Sequence, residues 1–198
     1  MTNITLTPGT PFDGGFFAGV FTLGTDRYGL IVSPKASGDL PNQPWGDYGQ
    51  DIPNARSCND GRANTHAMAE AGCALAKAIL ALDIDGYTDW YLPSRDELEL
   101  IYRHLKPTDQ ENYCSFRDGD NASSVPPGYP YTEASPAQTT AEAFRAGGEH
   151  ALESSWYWAS TQCSPLLAWI QYFGDGDQSS ARKGLTYRAR AVRRFLID

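Results

Sequence analysis

Cysteine is scarce in this chain. There are four in 198 residues, at positions 58, 73, 114 and 163. No two form a C-x-x-C pair, which argues against a zinc knuckle, and they are too few and too scattered for a disulfide scaffold of this size. One or two disulfides stay open, and the sequence names no pair. No apolar run approaches the roughly 18 residues that span a bilayer, so no membrane insertion is expected. The start, "MTNITLTPGTPF", has neither a basic nor an apolar leader segment. It reads as a protein kept in the cytoplasm or released without such a signal. Positive charge is also short: 16 Lys and Arg stand against 24 Asp and Glu, a net charge of −8. A free-standing nucleic-acid binder is usually basic, so no nucleic-acid partner is expected.

Chemistry-bearing motifs are missing too. There is no G-x-S-x-G and no H-E-x-x-H. The absence of a P-loop and of G-x-G-x-x-G argues against nucleotide binding. Three histidines, His66, His104 and His150, stand apart with no nucleophile in a recognisable setting. The expectation is no enzyme, no catalytic residue and no cofactor.

Aromatics are abundant, at 12% with 11 Tyr and 5 Trp. Gly (19) and Pro (13) imply much loop. Residues 16–34 read as a hairpin turning at "GTD". Residues 36–62 read as a long loop, pinned by Trp45 and Tyr48. A helix is expected from near Ala63, with Met68, Ala71, Leu75, Ile79 and Leu82 at helical spacing. Gly86 ends it, and Trp90–Leu92 form a short extended piece. A second helix follows, opened by a Ser94/Glu97 capping box, striped by Leu98, Ile101, Tyr102 and Leu105, and stopped by Pro107. Residues 107–150 are largely irregular. Strands are expected at 156–161, 167–173 and 185–195.

The order ββ, loop, α, α, loop, βββ predicts a single α+β domain over residues 1–198. Its N- and C-terminal strands join in one antiparallel sheet, around two helices and long loops.

"GYTDWYLPSRDELELIY", residues 86–102, resembles the W-x-L-P-[S/T]-x-x-E-L signature of the Lcl C-terminal-domain-like family of bacteria and phages. "YWAST" (157–161), "AWIQYFGDG" (168–176) and "ARAVR" (189–193) resemble later motifs of that family, in the same order. The resemblance covers roughly residues 86–195 and implies a C-type lectin-like fold with ligand contacts on long loops and late strands. Departures narrow what carries over. The E-P-N, Q-P-D and W-N-D triplets of calcium-binding lectins are absent. Only Cys163 lies in the late region, where the formylglycine-generating enzymes of the wider fold use a cysteine pair. Residues 156–198 contain no Asn, unlike retroelement-diversified relatives.

On these grounds Trp158, Trp169 and Phe173 are expected in the core, by strand alternation and their motif positions. Trp156, Tyr157 and Tyr172 are left as candidate ligand contacts at or near the surface. Asp175 and Asp177 form an acidic turn, readable as a cation site or as plain turn chemistry, and "RDGDN" at 117–121 faces the same two readings. No metal ligand is assigned. Six of the basic residues crowd the last seventeen positions. Arg182, Lys183 and Arg188 are the candidate contacts among them. Arg190 and Arg193 match motif arginines and read as structural, paired with carboxylates such as Glu97. A bulge near Ala191 is expected from the change of phase in the last strand.

The resemblance implies a recognition module of a phage or prophage virion, at the tail tip or baseplate. It would attach to a host-surface glycan or protein beside other virion proteins. If the chain is not phage-encoded, a cytoplasmic location is expected. The alternative is a structural virion or assembly protein that forms a homo-oligomer. A third reading is an oxidase akin to the formylglycine-generating enzymes, which would need a redox partner for Cys163.

Overall fold

The computed structural model describes residues 6–115 and 117–197. The first five positions of the chain lie outside the described residues. In chain order the elements are β1 (Pro11–Phe12), β2 (Gly15–Leu23), β3 (Asp26–Val32), α1 (Lys35–Gly38) and β4 (Asp39–Pro44). Next come α2 (Gly61–Glu70), α3 (Ala74–Leu80), α4 (Arg95–Leu105) and β5 (Ser124–Val125). The chain closes with β6 (Trp156–Gln162), β7 (Leu167–Tyr172), β8 (Gln178–Arg182), β9 (Thr186–Arg190) and β10 (Val192–Ile197). The molecule is a mixed α+β structure, as expected, but it is built on two sheets rather than one.

The first sheet runs β1-β2-β3-β10, with β5 added beside β2. Here the ends of the chain meet as expected: β10 lies antiparallel to β3, with Val192 opposite Val32 and Ile197 opposite Arg27. The second sheet runs β4-β9-β6-β7-β8, and β6 and β9 are parallel in it. The expected strand 185–195 is therefore two strands in two sheets. Ala191 is the crossing point: its N–H donates to Gly38 of the second-sheet side and its carbonyl accepts from Ser33 of the first. The phase change seen in the sequence marks this transfer and not a bulge within one strand.

The first expected helix is also two. Gly72 takes φ +99, a conformation that glycine adopts without a Cβ penalty. The N–H groups of Gly72 and Cys73 donate back to Ala69 and Met68, closing α2 in a Schellman motif. The capping box of α4 is formed as expected. Ser94 N–H donates to Glu97 Oε2 at 2.8 Å, and Glu97 N–H to Ser94 Oγ at 3.3 Å.

The second sheet is covered on both faces, by two hydrophobic clusters. Trp158, Ile170, Ala168 and Ala181 join Trp45, Trp90 and the α2–α3 side chains. Tyr157, Ala159 and Phe173 join Leu98, Ile101, Tyr102 and Leu105 of α4. Three buried indoles each find a carbonyl for their N–H: Trp45 with Ala159, Trp90 with Tyr87, and Trp158 with Gln43. A buried indole needs such a partner. Trp45 thus pins its loop as expected. Tyr48 does not, being 57% exposed.

The irregular stretch after α4 is held by buried polar side chains. Glu99 accepts from Arg103, Asn121 and Tyr131. Asn112 accepts from Tyr102 and donates to the carbonyls of Thr132, Glu133 and Pro136. Long ordered loops need this kind of internal anchoring.

Candidate functional site

Strand register assembles a row of side chains across the end of the second sheet. Trp156 of β6 lies opposite Tyr172 of β7. Tyr172 N–H donates to the Asp177 carbonyl at 2.9 Å, just before β8. On the other side Tyr157 is in parallel register with Arg188, which sets Tyr187 beside Trp156. Tyr187 in turn lies opposite Gln43 of β4. The row reads Gln43, Tyr187, Trp156 and Tyr172, one side chain per strand on one face, with Asp177 closing it just before β8. All five are half-buried.

The rings are fixed from below. Trp156 and Tyr172 have centroids 5.3 Å apart at 45°, and Tyr187 meets buried Trp158 edge-on at 5.0 Å. Trp156 and Tyr187 pack against the cluster that holds Trp158. At the far end the turn is tightly set. Gly176 adopts φ +87, with its Cα against the Tyr102 ring, and Asp177 N–H donates to Asp175 Oδ1 at 3.1 Å. Burial, then the charges of Asp118 and Asp175, push the Asp177 carboxyl above its ordinary range.

Of the sequence-predicted contacts, the row gathers Trp156, Tyr172 and Asp177, with Asp175 half-buried in the adjoining turn. Tyr157 is a correction. It is wholly buried, because β6 has a core on each side. Its hydroxyl accepts from Glu153 N–H at 2.9 Å, and burial pushes its pKa up to about 12. Lys183 is a second correction. It is buried over the Trp45 ring at 4.5 Å and donates to the Gln50 carbonyl and Gln162 Oε1 at 2.6 and 2.5 Å. It staples the loop around Trp45 rather than facing outward. Arg188 is half-buried and paired with Asp39 at 2.6 Å; its register partner Tyr157 places it on the face opposite the row. Arg182 is exposed. With Tyr48, Gly184 and Leu185 it lines a cavity of about 260 Å³.

Trp158 and Phe173 are buried as expected, but Trp169 is only half-buried. It stands between the guanidiniums of Arg95 and Arg117, at 5.3 and 4.9 Å from its ring centre. Neither Arg190 nor Arg193 pairs with Glu97. Arg190 is buried and donates to the carbonyls of Ser33 and His150. Arg193 pairs with Asp89 at 2.6 Å. Glu97 is occupied by the Tyr91 hydroxyl.

Sequence reasoning missed Gln43 and Tyr187. The alternation Tyr187, Ala189, Ala191 was visible, but which sheet that face belongs to was not. It also missed Leu166 and Leu185, which with Tyr48 are exposed large hydrophobics near one another. The Gly49 N–H donates to Pro165, and the Lys183 N–H to Leu166.

His66 is exposed, His104 Nδ1 lies 2.7 Å from the Ala18 carbonyl, and His150 packs on Phe16 at 4.2 Å. Burial pushes the thiols of Cys58 and Cys73 up, and that of Cys163 up to about 12. Such thiols are poor nucleophiles. Among the described residues no group of three or more His, Cys, Asp or Glu is arranged to hold a metal ion, and no helix is long and apolar enough to cross a membrane.

The family model of the Lcl C-terminal domain matches residues 45–193, three quarters of the chain, and the chain belongs to that family. No curated protein matches it. Among solved structures, a fimbrial protein from Bacteroides ovatus is similar at 15% identity and a TM-score of 0.41, over 83% of this chain and 35% of that one. The chain spans about a third of that protein's length.

Proposed function

We propose that this member of the Lcl C-terminal domain family is a non-enzymatic recognition module that holds its ligand on the Tyr187–Trp156–Tyr172 row. The carrying observation is the row itself: three half-buried aromatic side chains on adjacent strands, Tyr187 and Trp156 packed on the Trp158 cluster and Tyr172 against Trp156, flanked by an amide and a carboxylate. Aromatic rings that keep an apolar face and a polar tip accessible are suited to recognition. The raised thiols and scattered histidines support a role without catalysis.

The fold we assign to it is C-type lectin-like. That assignment is supported by the antiparallel pairing of β3 with β10 and by the helices placed between the chain ends. The setting we assign is a phage or prophage virion, at the tail tip or baseplate, with a host-surface glycan or protein as the target. The family resemblance supports that setting, and tail genes beside its own gene would test it. The module itself is tested with a glycan array and a pull-down against host cell envelope, using the full chain and the Trp156→Ala variant. Binding that the variant loses is the expected outcome; flat results in both assays overturn the reading.

The exposed Tyr48, Leu166 and Leu185 favour a second reading, a structural protein that packs against its own copies through this patch. Sedimentation decides it: a fixed oligomer broken by Leu185→Lys supports it, and a monomer at all concentrations removes it.

A further inference from the structure

The row also carries information about what kind of ligand fits it. We infer that it takes an uncharged sugar chain of at least three pyranose units, running across the strands, and that Asp177 turns acidic sugars away. This rests on the recognition reading above and adds the ligand's chemistry to it.

Neighbouring strands are about 4.8 Å apart, close to the length of one pyranose unit. A row with one aromatic ring on each of three adjacent strands therefore repeats at the step of a sugar chain. Each ring can meet the apolar C–H face of one unit while the hydroxyls around that unit remain in water. Trp156 and Tyr172 are not flush but tilted by 45°, so the platform is stepped, and successive units of a twisting chain present their faces at successive angles.

The ends of the row are polar and suit hydroxyl groups. Gln43 gives its Nε2 to the Pro41 carbonyl at 2.9 Å, which fixes the amide and leaves Oε1 as an acceptor. The Asp177 carboxylate is engaged in no ion pair among the described residues. Its oxygens are acceptors only when ionised, so both ends call for donors, which hydroxyls supply.

Charge decides between neutral and acidic chains. Burial first, and then the neighbouring Asp118 and Asp175, raise the Asp177 carboxyl. The basic residues nearest in sequence are directed elsewhere. Arg188 is held by Asp39 on the opposite face. Arg182 is in register with Leu167, two residues from Trp169 and so on that same opposite face. Lys183 is buried against Trp45. A carboxylate or sulfate on the ligand would meet the like charge of Asp177 and Asp175 and none of these three cations. A partner anchored through protruding apolar side chains would find three of them, Tyr48, Leu166 and Leu185, gathered away from the row, where Lys183 N–H meets the Leu166 carbonyl.

The test uses the full chain on a printed set of neutral oligosaccharides of two to six units and their uronic-acid counterparts. The expected result is binding to neutral chains that strengthens up to three units, weakened about tenfold or more by Trp156→Ala with the far-UV circular dichroism unchanged. Trp156→Phe serves if the alanine variant does not fold, and it should retain part of the affinity. Asp177→Asn, in the half-buried turn before β8, should raise the affinity for uronic-acid chains several-fold relative to neutral ones. If acidic chains bind best and Trp156→Ala abolishes that binding, the ligand class inferred here is wrong while the row stands as the site. If envelope binding is protease-sensitive and sugars fail, the sugar inference is likewise overturned. If neither Trp156 variant changes any binding, the row and the inference fall together.

Discussion

Tyr91 and Glu97 meet in the interior, the tyrosine hydroxyl donating to Glu97 Oε1 at 2.6 Å. The same carboxylate takes the N–H groups of Ser94 at 2.8 Å and Gly61 at 3.0 Å. One side chain thus ties the extended piece before α4, the cap of α4 and the start of α2. Removing it by Glu97→Ala leaves three buried donors without a partner. The expected loss is about 3 kcal/mol or more, read from denaturant midpoints, with Glu97→Gln losing clearly less. Equal losses in the two variants would count against the clamp.

Gly61 is a steric counterpart of the same clamp. A Cβ there would sit 2.4 Å from Glu97 Oε2, 2.5 Å from Ser94 N and 2.7 Å from Leu92 O. Two of those neighbours are backbone and cannot swing away. Gly61→Ala should destabilise by about 2 kcal/mol, despite alanine's better helix propensity, and a stabilised variant would contradict the packing.

Arg193 holds the last strand to the 83–90 segment. Its Nε and Nη2 donate to the two oxygens of Asp89 at 2.6 and 3.3 Å, and its guanidinium lies 4.1 Å from the Tyr87 ring centre. Lysine cannot form the fork or the stack. Arg193→Lys should lower stability by about 1–2 kcal/mol, and adding Asp89→Asn should cost little more. Additive losses would show that the two side chains act separately.

Burial holds the Lys183 ammonium down at about 8, from an ordinary 10.5, against the attraction of Asp51. Below pH 8 the group is charged in both folded and unfolded chains, and the fold carries the cost of burying it. Between 8 and 10.5 the unfolded chain binds more protons, so this residue's contribution to stability rises with pH. The stability of the wild type relative to Lys183→Met should shift in favour of the wild type across that window. A flat difference would mean the ammonium is not desolvated.

The four cysteines are free thiols, and they differ in access. Cys114 is exposed, Cys58 and Cys163 are half-buried, and Cys73 is buried with its Sγ 2.6 Å from the Trp45 carbonyl. Titration of the native protein with a thiol reagent should consume Cys114 rapidly and leave Cys73 unreactive until denaturant is added. Reducing agent should leave Tm unchanged. A redox role for Cys163 requires the opposite, a second thiol that reacts with it.

Local chemistry was legible where neighbours in sequence make the structure. The Ser94–Glu97 box, the stripe of α4 and the hairpin 16–34 needed nothing from afar. Gly72 could have been read as a helix end by its αL preference, but the alanine-rich periodicity on either side hid it. The exposure of Tyr157 and Lys183 could not be read. Alternation names two faces of a strand without saying whether a second layer covers both, and here both are covered. For the candidate site, Trp156, Tyr172 and Asp177 were picked out by type and position, whereas Gln43 and Tyr187 join them only through β4 and β9.

The sequence alone determined the family, the α+β class, the capped second helix, and the meeting of the chain's two ends, because these follow from short-range spacing and from motifs in order. Only the tertiary structure decided that Ala191 carries the chain from one sheet to the other, that Lys183 points inward, and that three aromatics from three strands fall into line. Each of these depends on pairing between segments distant in sequence, and in the row the paired residues run from Trp156 with Tyr172 to Gln43 with Tyr187. A shift of one residue in any pairing turns every side chain of that strand to the opposite face.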